Sequence, residues 1–244
     1  MLTPEKILKQ INGSINDKNV IAKAILGGSY AKGTNLDSYD CDIFVMFDLS
    51  YKNKDISDIT EKVIKSFKAT RVHGSRDYFQ FIKNKIQYEI VPVLDIKHPK
   101  NVVNVTDMSP FHVDWVKKNI KNFAQDIKKA KLFFKANELY GAESHINGFS
   151  GYVLEVLVIH YKGFDNLIKA ASNWKDKVII DINKKHKNVL KSLNYSKTYG
   201  PLILIDPVQD DRNAAAAVSF EQFNKFIFLS KLYLESPSED FFVN

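Results

Sequence analysis

Two short stretches of this sequence hold side chains whose type and spacing suit chemistry on a phosphate: Gly28-Ser29 and Asp40-Cys41-Asp42. Residues two apart on an extended strand point to the same face, so Asp40 and Asp42 would aim their carboxylates at one point. Two like charges held side by side are costly unless a cation neutralises them. Hard oxygen ligands suit magnesium, which takes carboxylates plus substrate phosphates rather than a full protein cage. The apolar run Ile43 to Phe47 that follows would bury the strand and hold the pair rigidly at its mouth. Gly28-Ser29 falls where a strand should meet a helical turn. Glycine lets the backbone approach a phosphate, and helix-start amides with the Ser29 hydroxyl can bind its oxygens. Lys32, one turn on, adds positive charge. A lone Asp-x-Asp or Gly-Ser is more often a solvated turn or a cap. The order strand, Gly-Ser, short helix, Asp-x-Asp, apolar strand is far harder to meet by accident.

A third carboxylate should come from a neighbouring strand, and Glu89 in Gln87-Tyr88-Glu89-Ile90-Val91-Pro92 is the candidate. It is an acid within an otherwise apolar strand, where an unpartnered charge is expensive. A solvent-facing place on an alternating strand is the other reading. With Asp40, Asp42 and Glu89 as catalytic and metal-holding groups, one magnesium ion would activate an attacking hydroxyl and a second would steady a leaving pyrophosphate.

The elements that must position these residues follow from pattern. Pro4 to about Asp17 has helical spacing in Ile7, Leu8 and Ile11; Val20 to Leu26 and Cys41 to Phe47 read as strands; Ser57 to Phe67 reads as a helix. Tyr78 to Ile82, a Lys83-Asn84-Lys85 turn and Ile86 to Leu94 make a hairpin. This first part is expected to be an α+β sheet domain with helices on one face. From Ser109 the character turns helical. Ser109-Pro110 looks like a capped start, Phe123 to Leu139 is a long amphipathic run, and Ser150 to His160 and Phe164 to Trp174 are further helices. Ser219 with Gln222 would form a capping box for a last helix reaching about Leu234. The expected division is a catalytic domain over 1–105 and a helical substrate-binding domain over 106–244.

Composition sets the frame. A chain of 244 residues can bury a proper core, and its 45% hydrophobic and 26% charged content is ordinary for a globular protein. With Cys41 as the single cysteine no internal disulfide can form, and a reducing compartment is the default. The N-terminus lacks the pattern of a signal peptide and no apolar run approaches membrane-spanning length, so a cytoplasmic location is expected. The net charge of +7 suits a polyanionic partner, though a lysine-rich proteome would give the same excess. In the lysine-rich stretch after Trp174, Lys184, Lys185, Lys187 and Lys191 are candidates for RNA phosphate contact, or form a solvated face.

Several stretches together resemble the archaeal-type (class I) CCA-adding enzymes, tRNA nucleotidyltransferases of the polymerase-β-like superfamily. They are GGSYAKGTNL, SYDCDIFVMF, YEIVPV, SPFHVDWV, the run from KLFFKANELYGAESHINGFSGYVLEV to HYKGF, and DPVQDDRNAAAAVS. The resemblance runs from Gly27 to Ser219. It implies a polymerase-β-like nucleotidyltransferase palm followed by a helical substrate-binding domain. The implied activity is untemplated addition of C, C and A to the 3′ end of tRNA from CTP and ATP. It implies catalytic carboxylates at Asp40, Asp42 and Glu89, and nucleotide contacts at Gly28, Ser29, Lys32, Ser109, His112, Lys131, Tyr140 and Ser150. Arg212 would match the arginine that helps read the incoming base, a task its fixed fork suits and a lysine could not imitate. On their own, Lys131 reads as part of a solvated face with Lys128, Lys129 and Lys135, Tyr140 as a packed helix end and Ser150 as an ordinary cap. The sequence departs from the family in Glu89, where aspartate is usual, and in Arg76-Asp77-Tyr78. It also lacks most of the large C-terminal portion with which the family grips the body of the tRNA.

Overall fold

The computed structural model describes residues 3–37 and 40–243. The chain divides into two compact units, Met1–Asp114 and Trp115–Asn244. That division falls inside a helix, beyond the 105/106 boundary expected from the change in pattern.

In the first unit, helix α1 (Pro4–Asp17) carries proline in its first turn and turns Ile7, Ile11 and Ile15 inward at a spacing of one helical turn. Strand β1 (Ala22–Leu26), helix α2 (Gly28–Lys32), strand β2 (Asp40–Phe47) and helix α3 (Ile56–Val63) follow, then strands β3 (Thr70–Val72), β4 (Tyr78–Lys83) and β5 (Ile86–Leu94). The strands form one sheet in the order β1-β2-β5-β4-β3, in which only β2 and β5 run parallel. The β4–β5 hairpin turns through Asn84 and Lys85, both at positive φ (52° and 65°), a mirror-image turn whose twist matches the strands.

Cys41, Ile43, Val45 and Phe47 of β2 face a core that includes Ile7, Ile11 and Ile15 of α1 and Ile56 and Val63 of α3. The opposite face is covered as well: Phe44 and Val93 pack with Val113, and Ala31 of α2 and Met46 join them. Helices therefore reach both faces rather than one, and a strand covered on both sides reads as an unbroken apolar run.

Helix α4 (Ser109–Asn119) continues a 3-10 turn, Val105–Met108. The cap of this helical run is Asn104, whose side chain accepts from Thr106 N while Asp107 accepts from Asn104 N at 2.9 Å, so Ser109 is the first residue of α4 but not its cap.

The second unit comprises α5 (Ala124–Ala136), α6 (Gly151–Tyr161), α7 (Phe164–Ala171), β6 (Val178–Ile180), α8 (Val189–Ser192), α9 (Tyr195–Thr198), β7 (Leu202–Leu204) and α10 (Phe220–Glu235). Its core is aromatic, with Phe133, Phe134, Phe149, Phe164 and Phe226 all fully buried. Ser150 and Ser219 cap α6 and α10, accepting from Val153 N at 3.3 Å and Gln222 N at 3.1 Å. The reciprocal half of the box expected at Ser219 does not form: Ser219 N donates to Asn147 O at 2.9 Å, and Gln222 Nε2 donates to Ile146 O at 3.1 Å. The parallel pair β6–β7 was not expected, because runs this short carry no readable period. Among the described residues no helix is long and apolar enough to cross a membrane.

Candidate active site

Register brings the acids together. β2 and β5 pair in parallel with Asp42 opposite Glu89 and Asp40 opposite Gln87, so all four side chains leave one face of the sheet. This is the face away from the main core, at the end of β2 where Asp40 is exposed and Asp42 half-buried. The start of α2 is stitched to the same point, since Gly27 N donates to Asp42 O at 2.8 Å. Gly28 sits at φ 54°, and a Cβ there would fall 1.5 Å from Asp42 Oδ2. Only glycine allows both that backbone conformation and the carboxylate lying against it. Ser29 and Lys32 follow on α2, half-buried, and Thr34 N donates to Ser29 O at 3.0 Å to close the segment.

The electrostatics show a site short of positive charge. Burial pushes the Asp42 carboxyl up to about 7, Glu89 adds to that, Lys32 opposes it, and Asp40 raises it further. Burial also pushes the Cys41 thiol up to about 12, with Asp42 and Glu5 contributing, so a thiol on the core side stays protonated and takes no part. Glu89 is held from β4 by Gln80, whose Nε2 donates to Glu89 Oε1 at 2.6 Å, and more loosely by Gln87 at 3.4 Å.

A divalent cation fits this donor set, because it relieves the repulsion that lifts Asp42, and all the donors are hard oxygens. Among the described residues no three His, Cys, Asp or Glu side chains are gathered closely enough to cage an ion unaided. Asp40 and Asp42 would hold it together with phosphate oxygens, with Glu89 the nearest further carboxylate.

Ser109 and His112 lie at the start of α4, both half-buried, on the helix that also supplies Val113 to the layer over Phe44. The helix is anchored by Arg76, which donates to Asp107, to Thr106 Oγ1 at 3.0 Å and to Pro92 O at 3.2 Å. Asp107 is fully buried and also accepts from Leu94 N at 2.9 Å. The unusual Arg76 therefore ties the end of β5 to the entry of α4.

In the second unit Lys131 is 3% exposed, not solvated; its Nζ lies 3.2 Å from Glu155 Oε1, and Glu155 is fully buried. Lys131 and Tyr140 converge on the start of α6. A Cβ on Gly151 would come within 2.7 Å of Tyr140 Oη and 3.7 Å of Lys131 Cε. Tyr140 lies past the end of α5 and bridges to Phe149, the residue before the Ser150 cap. Arg212 Nη1 donates to Asp206 Oδ2 at 2.5 Å, and Asp206, fully buried, accepts from Tyr152 Oη at 3.0 Å. Burial and Asp206 raise the Tyr152 phenol above its ordinary value, so it stays a donor.

Glu155, Asp206 and Tyr152 were not among the expected residues. Glu155 carried the signal that singled out Glu89, an acid alone in an apolar run. Lys184, Lys185, Lys187 and Lys191 are all exposed, apart from this cluster in the sequence and on the β6–β7 connection.

A Gly-Ser turn lying on an Asp-x-Asp strand, with a glutamate in register on the parallel neighbour, defines a class. The chain belongs to the nucleotidyltransferase domain family, whose model matches residues 8–133. The model described as "tRNA nucleotidyltransferase, second domain" matches residues 125–243.

Within that class the chain is similar to archaeal CCA-adding enzymes. It is 48% identical over 221 residues to that of Nanoarchaeum equitans, covering 88% of this chain and 56% of the relative. It is 35% identical over 239 residues to that of Picrophilus torridus, covering 97% and 54%. The chain spans about half the length of the curated relatives it matches.

Of solved structures, a Cid1 poly(U) polymerase bound to MgATP superposes with a TM-score of 0.77 at 12% identity, over 98% of this chain and 92% of that one. CdnC of E. coli MS115-1 with ATP gives 0.66 at 17% identity, over 97% and 86%. At such identities these establish the fold alone: a nucleotidyltransferase domain of mixed sheet and helices, then a largely helical second domain.

Proposed function

We propose that this chain carries out untemplated nucleotide addition to RNA, adding C, C and A to the 3′ end of tRNA from CTP and ATP. The observation that supports it most is the 48% identity to a CCA-adding enzyme over a span that includes both the acid pair and the second unit. Asp40, Asp42 and Glu89 would be the catalytic carboxylates. A magnesium ion held by Asp40 and Asp42 would neutralise phosphate charge and make a hydroxyl more acidic. The protein's own groups do the positioning. The Gly28-Ser29 turn and Lys32 receive phosphate oxygens beside Asp42, and Ser109 and His112 add donors from α4. Lys131, Tyr140 and the Ser150 turn at the head of α6 would supply a second set, and Arg212, steadied by Asp206, would present its outer donors to the base. Catalysis on this reading is positioning and charge compensation for attack of the RNA 3′-hydroxyl on the α-phosphate. Lys184, Lys185, Lys187 and Lys191 would bind RNA phosphates, and the cytoplasm is where such a substrate is met.

The test is incorporation of labelled CTP and ATP into tRNA ending before CCA, after one C and after two, beside an acceptor-stem minihelix. Addition of C, C, then A, with minihelix and tRNA used about equally, is expected. No incorporation into any of the three, or transfer to another acceptor, would overturn it. A hundredfold preference for whole tRNA would overturn its acceptor-end part.

A further inference from the structure

Residues 175–199 carry seven lysines against two aspartates, so this stretch holds most of the chain's formal net charge of +7. It also holds two tyrosines in the open, Tyr195 at 75% and Tyr199 at 60% exposure. Their rings meet edge to face at 5.7 Å, and Tyr199 meets Phe220, itself 45% exposed, at 6.0 Å. Three linked aromatic rings in water form an apolar surface that folding alone does not require.

The backbone beneath them is fixed. Lys177 Nζ donates to Thr198 O at 2.8 Å, and Asn213 Nδ2 donates to Lys197 O at 3.0 Å, tying α9 to β6 and to the loop after β7. Phe220 is the first residue of α10, held by the Ser219 cap. The rings thus stand on two anchored elements, α9 with its C-cap and the start of α10, and all three are exposed. Lys197 lies between the two tyrosines in sequence and shares its Nζ with Asp211 at 3.1 Å; Lys191 is exposed on α8, just before α9.

We propose that Tyr195, Tyr199 and Phe220 form a stacking platform for unpaired nucleotides of RNA, whose phosphates run along the lysines of 175–199. This rests on the reading of the chain as an RNA nucleotidyltransferase and names the surface and mode by which it holds the strand. Every base has a flat apolar face, so an aromatic ladder binds single strands with little regard to sequence. A duplex keeps those faces stacked internally, so the ladder selects unpaired RNA. Lysines contribute affinity for phosphate without reading bases. The charge excess of the stretch that carries the two tyrosines favours this polyanion over an apolar protein surface.

The test uses the whole chain without nucleotide, and fluorescence anisotropy with three probes of about twelve units. They are a single-stranded RNA, an abasic ribose-phosphate strand of equal charge, and an RNA duplex. Replacing Tyr195 and Tyr199 together by Ala should weaken single-strand binding about thirtyfold or more, the loss of two base-stacking contacts. Abasic binding, the salt slope and the melting temperature should be unchanged. Tyr195→Phe with Tyr199→Phe should restore binding, because the ring and not the hydroxyl does the stacking. Equal affinity of the unaltered protein for RNA and abasic strand, or single-strand binding that survives the double Ala change, overturns the proposal. So does a double change that alters only self-association in light scattering, which would make the ladder a protein contact. Because no nucleotide is present, RNA that binds through the ladder but is never extended counts against CCA addition and leaves the platform standing. Normal CCA addition by a Tyr195→Ala/Tyr199→Ala protein with unaltered RNA affinity does the reverse.

Discussion

Replacing Asp42 by Asn should stabilise the first unit of the metal-free protein, by an amount that grows with pH. The Asp42 carboxyl is held at about 7 by burial and by Glu89 and Asp40, against an ordinary value of 3.8. Its folded-state pKa lies above its unfolded one, so the folded chain binds the proton more tightly. The stability this confers is complete below about pH 4 and is lost as pH rises through about 7. At about 1.36 kcal/mol per pKa unit the gap amounts to about 4 kcal/mol at pH 8, a ceiling because water still reaches the half-buried carboxylate. Asparagine keeps the shape and carries no charge, so the variant should match the parent near pH 4 and exceed it by up to that amount at pH 8. The measurement is urea unfolding in EDTA from pH 4 to 8, followed by far-ultraviolet circular dichroism. Both tryptophans, Trp115 and Trp174, lie in the second unit, so their fluorescence gives an internal control that should not differ between the two proteins. Magnesium added at pH 8 should stabilise the parent and not the variant, and the variant should lose nucleotide incorporation. A stability difference that stays constant across the pH range would refute the reasoning.

Gly28→Ala places a Cβ where Asp42 Oδ2 now lies and keeps a left-handed backbone, so incorporation should fall more than a hundredfold for a strain of about 1–2 kcal/mol; near-normal activity would show that the Asp42 position is not critical. Lys131→Met takes the ammonium away from the fully buried Glu155 and should cost about 3–5 kcal/mol in tryptophan-monitored unfolding of the second unit, while Lys131→Met with Glu155→Leu should recover most of it. A single change costing under about 1 kcal/mol would show that Glu155 finds another partner. Arg212→Lys keeps the charge on Asp206 and loses the fork, so selection of CTP and ATP over UTP and GTP should fall more than raw rate. Equal loss for all four nucleotides would assign Arg212 to phosphate binding or structure.

Local features of the site are legible in the amino-acid sequence. Asp40 and Asp42 share a face because strand periodicity is local, and Ser150 and Ser219 announce their helices because a cap needs only a hydroxyl and the next three residues. The pattern suggests helices on one face of the sheet, and the structure covers β2 on both. What the sequence could not supply is anything that depends on register or on partners distant in the chain. Glu89 stands opposite Asp42 because β2 and β5 pair in parallel, and a slip of one residue would have turned it to the core. The helical pattern around Lys131 puts it among solvated lysines, yet the structure buries it against Glu155, a fully buried carboxylate that needs a compensating charge. Arg212 directly follows two aspartates, Asp210 and Asp211, yet its ion pair is with Asp206. It is set by Asp206, which the fold buries completely and Tyr152 holds from α6, and a buried carboxylate is the group that most needs a permanent charge beside it.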